Sequence, residues 1–500
     1  MKYGIDLGTT YSCISYVDFN GEVKVVPNAE GQTTTPSVVE YVDGRFKVGI
    51  EAKNEAILNP KGTVEMIKRK MGVPGYTIAL NGKKFTPEEI SARILKKLVD
   101  DANDRLSCDC HDAVVTVPAY FGEAERAATA EAAKLAKINL IKIIDEPTAS
   151  AISYQYRNPD KKDQFVLVYD LGGGTFDISL VHLFSNGGIK VVRHDGKKTL
   201  GGKDWDAIIL QYCLDAYCAK TGANQAELFN DAIFVQKLTT EVEEAKKRLT
   251  DFEETNVVVK DEIIPLTREK FDSLTAFKVQ DSIGIIDRML SEMKESGKDI
   301  PNISQILMVG GSTFMPQVGI ALRERFPNCR INQYKPNEAV SRGAAIYAAD
   351  LVPVIINAFK SYGILLTTEK LREKYKDDQT DYSDGLKDPS LNVFNVIRIH
   401  EELPQEKDHE SLTTVDNQKQ CLLQIVENTY DGDCLTPDMY RKYNAKIIGT
   451  STLMLSGKAP KETVLITHFS LMDATGLEIT GTDTESNHSV HMNIQFGAQK

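Results

Sequence analysis

Five hundred residues, 42% apolar and 26% charged, describe an ordinary globular chain that is too long for one core, so two to four domains are expected. The formal net charge of −12 argues against general nucleic-acid binding, and no apolar run approaches the roughly 20 residues of a membrane span. The first residues, Met1-Lys2-Tyr3-Gly4-Ile5-Asp6, read as strand and not as a basic start before a long apolar segment. No secretory signal is therefore expected, and a reducing cytoplasm is.

The opening strand ends on Asp6, turns through Leu7-Gly8-Thr9-Thr10 and enters a second apolar strand over 13–17. Helical patterns follow over 87–105 and 123–136, with a strand over 113–117 between them. The tight cluster Cys108-Asp109-Cys110-His111 precedes that strand. One residue between cysteines is not the usual zinc-knuckle spacing and no second pair lies nearby, so a plain loop is expected there. In Ile144-Asp145-Glu146-Pro147-Thr148 the proline is expected to keep Glu146 out of helix, on a loop.

The opening phrase then returns. A strand over 165–169 leads into Asp170-Leu171-Gly172-Gly173-Gly174-Thr175, and a second apolar strand covers 176–183. Beyond it lie Leu200-Gly201-Gly202-Lys203-Asp204, helical patterns over 205–219, 233–249 and 271–295, and a strand over 305–309 that runs into Gly310-Gly311-Ser312-Thr313. The alternation reads as α/β, and the repeated phrase divides it into two halves near residues 160–164.

The character changes after Asp350. Residues 351–357 are short and apolar, and Pro353 resists helix. Residues 369–389 form a polar stretch read as an exposed insert. Short strand-like runs at 391–399, 421–427, 446–455, 464–472, 477–480 and 490–496 then suggest an antiparallel β-sandwich. The chain stops four residues after Phe496, so no long amphipathic helix is expected to follow.

A carboxylate at a strand end, such as Asp6 or Asp170, can hold Mg²⁺ through the waters that ion retains. Bare N–H groups in Gly8-Thr9-Thr10 and Gly172-Gly173-Gly174-Thr175 can cradle phosphate oxygens, with glycine letting the backbone approach closely. One such hairpin is a common glycine turn. Two matching copies with matching acids point to two lobes that clamp one nucleotide. A strand, a glycine pair and a helix at 305–313 add a further nucleotide-binding edge. Glu146 near a metal-bound phosphate could position an attacking water. Lys68, in Glu65-Met66-Ile67-Lys68-Arg69-Lys70, reads from its neighbours as part of a solvated basic patch. No G-x-x-x-x-G-K-[ST] loop is present, which excludes a P-loop enzyme.

Gly4-Ile5-Asp6-Leu7-Gly8-Thr9-Thr10, Val115-Thr116-Val117-Pro118-Ala119-Tyr120-Phe121, the stretch 144–149, the stretch 169–178 and Val309-Gly310-Gly311-Ser312-Thr313 together resemble the seventy-kilodalton heat-shock chaperone family. The resemblance covers most of residues 1–350, in order. It implies an actin-like, two-lobed ATPase domain with duplicated ribonuclease H-like halves over 1–350, a hydrophobic linker over 351–357 and a β-sandwich for extended peptides over 358–500. ATP/ADP, Mg²⁺ and K⁺ would be its cofactors. Its partners would be unfolded or extended polypeptides, a J-domain co-chaperone and a nucleotide-exchange factor, and the chain would be a monomer.

The resemblance also assigns roles. Lys68 would be the catalytic lysine near the γ-phosphate. Glu146, Asp170 and Thr175 would serve Mg²⁺ and the water, and Asp6 and Asp177 would complete the cation site with K⁺. Gly8, Thr9, Thr10, Tyr11, Gly172, Gly173, Gly174, Thr175, Gly201 and Gly202 would hold phosphates. Glu243, Lys246, Lys247, Thr250, Gly310, Gly311, Ser312 and Phe314 would surround the adenosine. Pro118 and Arg126 would report nucleotide state to the second domain.

The chain departs from the family at Phe314, where arginine is usual, and at Pro353, which interrupts the linker. The polar insert falls where the peptide-gripping loops begin, and no helical lid is expected over 1–500. Past the linker the resemblance thins to Ser361-Tyr362-Gly363-Ile364, Thr414-Val415-Asp416-Asn417-Gln418 and Asp473-Ala474-Thr475-Gly476-Leu477. Two other functions share the fold: a small-molecule kinase, which would need a sugar pocket with a catalytic aspartate, and an ATP-switched module for one dedicated partner.

Overall fold

A computed structural model describes residues 1–158, 162–295, 299–355, 358, 360–367, 385–399, 401–413, 417–459, 463–473 and 476–495. Ile356 and Asn357 of the expected linker, positions 369–384 of the expected insert, and Thr414, Val415, Asp416, Ala474, Thr475 and Phe496 of the sequence motifs lie outside them. The chain divides into two compact units, Met1–Val354 and Ile355–Lys500.

In the first unit, β1 (Tyr3–Asp6), β2 (Tyr11–Val17) and β3 (Val23–Val25) form an antiparallel run. After α1 (Pro87–Leu106), β4 (Asp112–Val117) pairs parallel with β1. After α2 (Glu123–Leu135), β5 (Asn139–Asp145) pairs parallel with β4. The helices are set by local chemistry. The side chain of Thr86, for example, accepts from the Glu89 amide while the Glu89 carboxylate accepts from the Thr86 amide, closing the start of α1.

Following α3 (Glu146–Arg157), the plan repeats in β6 (Gln164–Leu171), β7 (Phe176–Leu183) and β8 (Ile189–Lys197). Three long helices come next, α4 (Gly202–Thr221), α5 (Ala232–Asp251) and α6 (Arg268–Glu295). They are followed by β9 (Ile303–Val309), α7 (Pro316–Arg325), β10 (Arg330–Asn332) and α8 (Ala339–Ala348).

Both central sheets are six-stranded: five strands run β5-β4-β1-β2-β3 in the first, with Thr35–Pro36 paired to β2, and β10-β9-β6-β7-β8 in the second, with a short further strand beyond β8. Each has the order 5-4-1-2-3, with its first, fourth and fifth strands parallel and its hairpins antiparallel. The duplication read from one repeated phrase therefore extends to the order of five strands in each central sheet.

The layer between the sheets contains α3 and α8. Val114 and Ile144 of the first half, Val166, Val168 and Leu307 of the second, and Ala149, Ile152, Val340 and Ala344 of the two helices share one core. The helices touch backbone to backbone. A Cβ placed on Gly343 of α8 would stand 1.6 Å from the carbonyl oxygen of Ala149 in α3. Burial of this kind, at about 25 cal/mol per Å² of apolar surface, holds the two halves in one unit.

Among the described residues the second unit is built of strands, with two short 3-10 turns at Gly385–Lys387 and Pro437–Met439. Its strands are β11 (Ser361–Thr367), β12 (Leu391–Ile397), β13 (Gln405–Leu412), β14 (Gln418–Asn428), β15 (Cys434–Leu435), β16 (Lys446–Ala459), β17 (Val464–Asp473), β18 (Gly476–Asp483) and β19 (Ser489–Gln495). They form the sheets β15-β12-β11-β14-β16 and β13-β17-β18-β19, with every described pairing antiparallel. Tyr362, Ile364 and Ile425 from one sheet and Phe469, Leu477 and Ile479 from the other share an apolar core. Strands β13 and β15 carry no apolar run that would announce them. Lys407 in β13 is instead paired with Glu401 at 2.6 Å.

No described helix is long and apolar enough to cross a membrane. The cluster at 108–111 is a loop, as read. Cys108 Sγ lies 3.3 Å from both the Tyr3 hydroxyl and Asn103 Oδ1, and His111 Nε2 lies 2.9 Å from Asp109.

Candidate functional site

The tips of the β1–β2 and β6–β7 hairpins meet. A Cβ on Gly173 would stand 2.3 Å from Thr10 Oγ1, and one on Gly174 would stand 2.4 Å from Thr9 Cγ2. Glycine is required at both positions because the other tip's threonines fill the space. A cavity of about 570 Å³ opens over this junction. Its lining includes Asp6, Gly8, Thr9, Thr10 and Tyr11 from the first half and Asp170, Gly172, Gly173 and Thr175 from the second, with Glu146 from the start of α3. Lys246, Lys247 and Thr250 of α5 join Gly310, Gly311, Ser312 and Phe314 along the rest of the wall.

Six of the expected residues lie behind that lining. Lys68 is buried at 4% exposure, with its Nζ 2.6 Å from Glu146 Oε1 and over the ring of Phe121. The solvated basic patch expected from its neighbours is thus replaced by a buried ion pair, because the short 3-10 turn Ile67–Lys70 directs this one lysine inward. Asp177 stands opposite Asp170 across the second hairpin. Gly174, Gly201 and Gly202 form the packed rear of the second tip.

Glu243 is engaged by Lys53 at 2.9 Å, by Lys203 at 3.0 Å and by Lys247 at 2.9 Å. Burial alone would raise its carboxyl. The three lysines outweigh that and hold it below the ordinary carboxylate range.

Glu146 is not on a loop. It is the first residue of α3, with Asp145 at the N-cap and Pro147 in the first turn. Proline breaks helix interiors, but the first turn's amides have no intrahelical partner, so Pro147 starts the helix instead of preventing it.

The electrostatics of the cavity floor are unusual. Asp170 and Asp177 are cross-strand neighbours, a like-charge pairing that destabilises a bare sheet. Burial, and then Glu146, pushes Asp6 up to about 7. Burial and Glu146 also raise Asp170 and Asp177, with Lys68 offsetting only part of the shift. Asp177 Oδ1 is buried with no hydrogen-bond partner. Such a donor set is short of positive charge and fits a bound cation. Among the described residues no three His, Cys, Asp or Glu side chains stand close enough to ligate one ion directly.

Thr34, Asp251, Pro336 and Asn337 also line the cavity, and no motif marked them. They come from separate parts of the chain and meet only through the fold. Arg126 and Pro118 are linked through Phe121. Arg126 Nε donates to the carbonyl of Phe121, whose own amide donates to that of Pro118, and the Arg126 guanidinium pairs with Asp145, the N-cap of α3.

A family model described as Hsp70 protein matches residues 2–75 and 73–495. The chain belongs to the Hsp70 family. Similar curated relatives include the proteins named Chaperone protein DnaK from Thermotoga petrophila, Thermotoga maritima and Thermotoga neapolitana. Each is 42% identical over 363 residues, covering 70% of this chain and 59% of the relative. This Hsp70 chain thus spans about three fifths of the length of those relatives. Phe314, the cavity residue that departs from the usual arginine, is 41% exposed and presents its ring to the cavity without a charge.

Proposed function

We propose that the first unit is an actin-like ATPase domain and the whole chain an ATP-dependent chaperone. In this reading the second unit holds extended or unfolded polypeptide under control of the nucleotide. The observation that carries it is the meeting of two equivalent hairpin tips under one cavity with an electron-rich, cation-poor floor. Family membership and relatives that bear the name Chaperone protein DnaK support it.

In this reading the tip amides and the hydroxyls of Thr9, Thr10 and Thr175 donate to phosphate oxygens. Asp6, Asp170 and Asp177 hold Mg²⁺ through its water shell, with K⁺ beside Asp6 and Asp177. The metal supplies charge that neutralises the phosphates. Lys68 adds positive charge at the terminal phosphate, and Glu146 holds Lys68 in place. Glu146 and Asp170 accept hydrogen bonds from the attacking water and so fix its line of approach. Phe314 and the backbone at Gly310 and Gly311 flank the base. A reducing compartment suits eight cysteines that are all unpaired. A J-domain co-chaperone and a nucleotide-exchange factor belong to the same reading.

Titrating a fluorescent extended peptide in the presence of ATP and then ADP tests the proposal. The dissociation constant should be at least about fivefold larger with ATP. Equal constants with both nucleotides would leave the second unit without nucleotide control.

The raised carboxyls give a pH signature. A cation must displace the proton that Asp6 holds below about 7. Mg·ATP affinity should therefore fall as pH drops from 8 to 6, by up to about tenfold per unit, with protons released on binding. Without ligand the sign reverses. Asp6, raised in the folded state, costs stability as pH climbs from about 4 to about 7. Calorimetry in two buffers of different ionisation enthalpy measures the proton release, and a pH-independent affinity would contradict the assignment of these acids.

A further inference from the structure

Three successive carbonyls of the second tip accept hydrogen bonds from groups outside the tip. That of Gly172 accepts from the Gly202 amide at 3.0 Å and from Ser312 Oγ at 2.8 Å. That of Gly173 accepts from the Lys203 amide at 2.8 Å. That of Gly174 accepts from Arg69, whose Nε lies 3.0 Å away and whose Nη2 also reaches it. The Gly202 and Lys203 amides belong to the start of α4, in the same half as the tip. Arg69 comes from the other half of the unit, from the turn that also carries Lys68. Asp204 holds the guanidinium in place at 3.1 Å, and its carboxylate also accepts from the Gly201 amide at 2.8 Å.

A trans peptide is planar, so its carbonyl and the next residue's N–H point in opposite directions. Fixing the carbonyls of Gly172, Gly173 and Gly174 on these donors therefore aims the amides of Gly173, Gly174 and Thr175 away from them. A row of amides turned to one side is an anion nest. Arg69 is absent from the cavity lining, whereas Gly172, Gly173 and Thr175 are part of it.

We propose that Arg69 is a positioning residue for phosphate binding. By holding the carbonyl of Gly174 it presents the Thr175 amide to the terminal phosphates, and it makes that alignment depend on the first half being in place. The inference rests on the nucleotide reading above and adds to it a residue outside the cavity. Its guanidinium bridges Gly174 and Asp204 together, which the single ammonium of lysine cannot reproduce in the same geometry.

The test compares Mg·ATP and adenosine binding by calorimetry in the full chain and in Arg69→Ala and Arg69→Lys, with melting curves as a control for folding. Adenosine lacks phosphates and reports the base and sugar contacts alone. Both variants should bind Mg·ATP at least about tenfold more weakly, as expected for losing a charge-assisted hydrogen bond, with adenosine affinity unchanged. Wild-type Mg·ATP affinity in Arg69→Lys would show that bulk charge suffices and would overturn the proposal. Parallel loss of adenosine and Mg·ATP would show a general structural role and would overturn it equally. Failure of the unaltered chain to bind any nucleotide would instead refute the underlying function.

Discussion

Replacing Lys68 with methionine is expected to lower ATP turnover by at least about hundredfold while leaving Mg·ATP binding within about tenfold of the parent. The side chain is 4% exposed and forms a 2.6 Å pair with Glu146, so its charge is spent inside the protein and not in solvent. Glu146 in turn raises Asp6, Asp170 and Asp177, and Lys68 is the cation that opposes the rise. Without it, Mg²⁺ can still satisfy the acids, which is why binding should survive. The charge that develops on the terminal phosphate in the transition state would have no such substitute. In the ligand-free protein, removing one partner of a buried pair costs roughly 3–5 kcal/mol. Single-turnover hydrolysis alongside calorimetry separates the two effects, and turnover near the parent value would remove Lys68 from the mechanism.

Gly343→Ala is expected to destabilise the first unit by roughly 2 kcal/mol or more, and to depress turnover with it. Helix propensity alone favours alanine by about 1 kcal/mol. Against that, the new methyl would lie 1.6 Å from the Ala149 carbonyl oxygen and 2.4 Å from its carbon. These are backbone atoms, so no rotamer change relieves the overlap and α3 must move away from α8. Because α3 begins at Glu146, the displacement reaches the Lys68 pair. Gly284→Ala supplies the contrast. That glycine lies in α6 with nothing within 4 Å of the added carbon, and the change should stabilise by about 0.5–1 kcal/mol. Thermal melts of both variants check the pair, and equal effects would show that the α3–α8 contact is looser than described.

Much of the first unit could be read from the chain because its strands are apolar and its helices carry clear end signals. The strand read over 305–309 is β9, Ile303–Val309, and the helix read over 87–105 is α1, Pro87–Leu106. The repeated acid–glycine–threonine phrase pointed to both hairpins, and their shared 5-4-1-2-3 order follows from the same duplication. Strand β13 was invisible because Gln405-Glu406-Lys407-Asp408-His409-Glu410-Ser411-Leu412 has no apolar face; its edge position and its partner β17 make it a strand. The floor of the site was legible only in part. Lys68 could be assigned a role by resemblance but not by its neighbours, since a Lys-Arg-Lys run gives no hint that one member turns inward and another reaches across to Gly174. Thr34, Asp251 and Asn337 have no local signature at all, because the cavity wall they share is assembled from distant segments.

The junction of the two tips also shows how a duplicated ancestor lost its interchangeability. One loop projects the methyls and hydroxyls of Thr9 and Thr10, and the other answers with bare backbone at Gly173 and Gly174. Two loops of the first kind would collide, and two of the second would leave a void where they should touch. The two tips are thus complements, one convex and one concave, so a change of side-chain size on either must be met on the other.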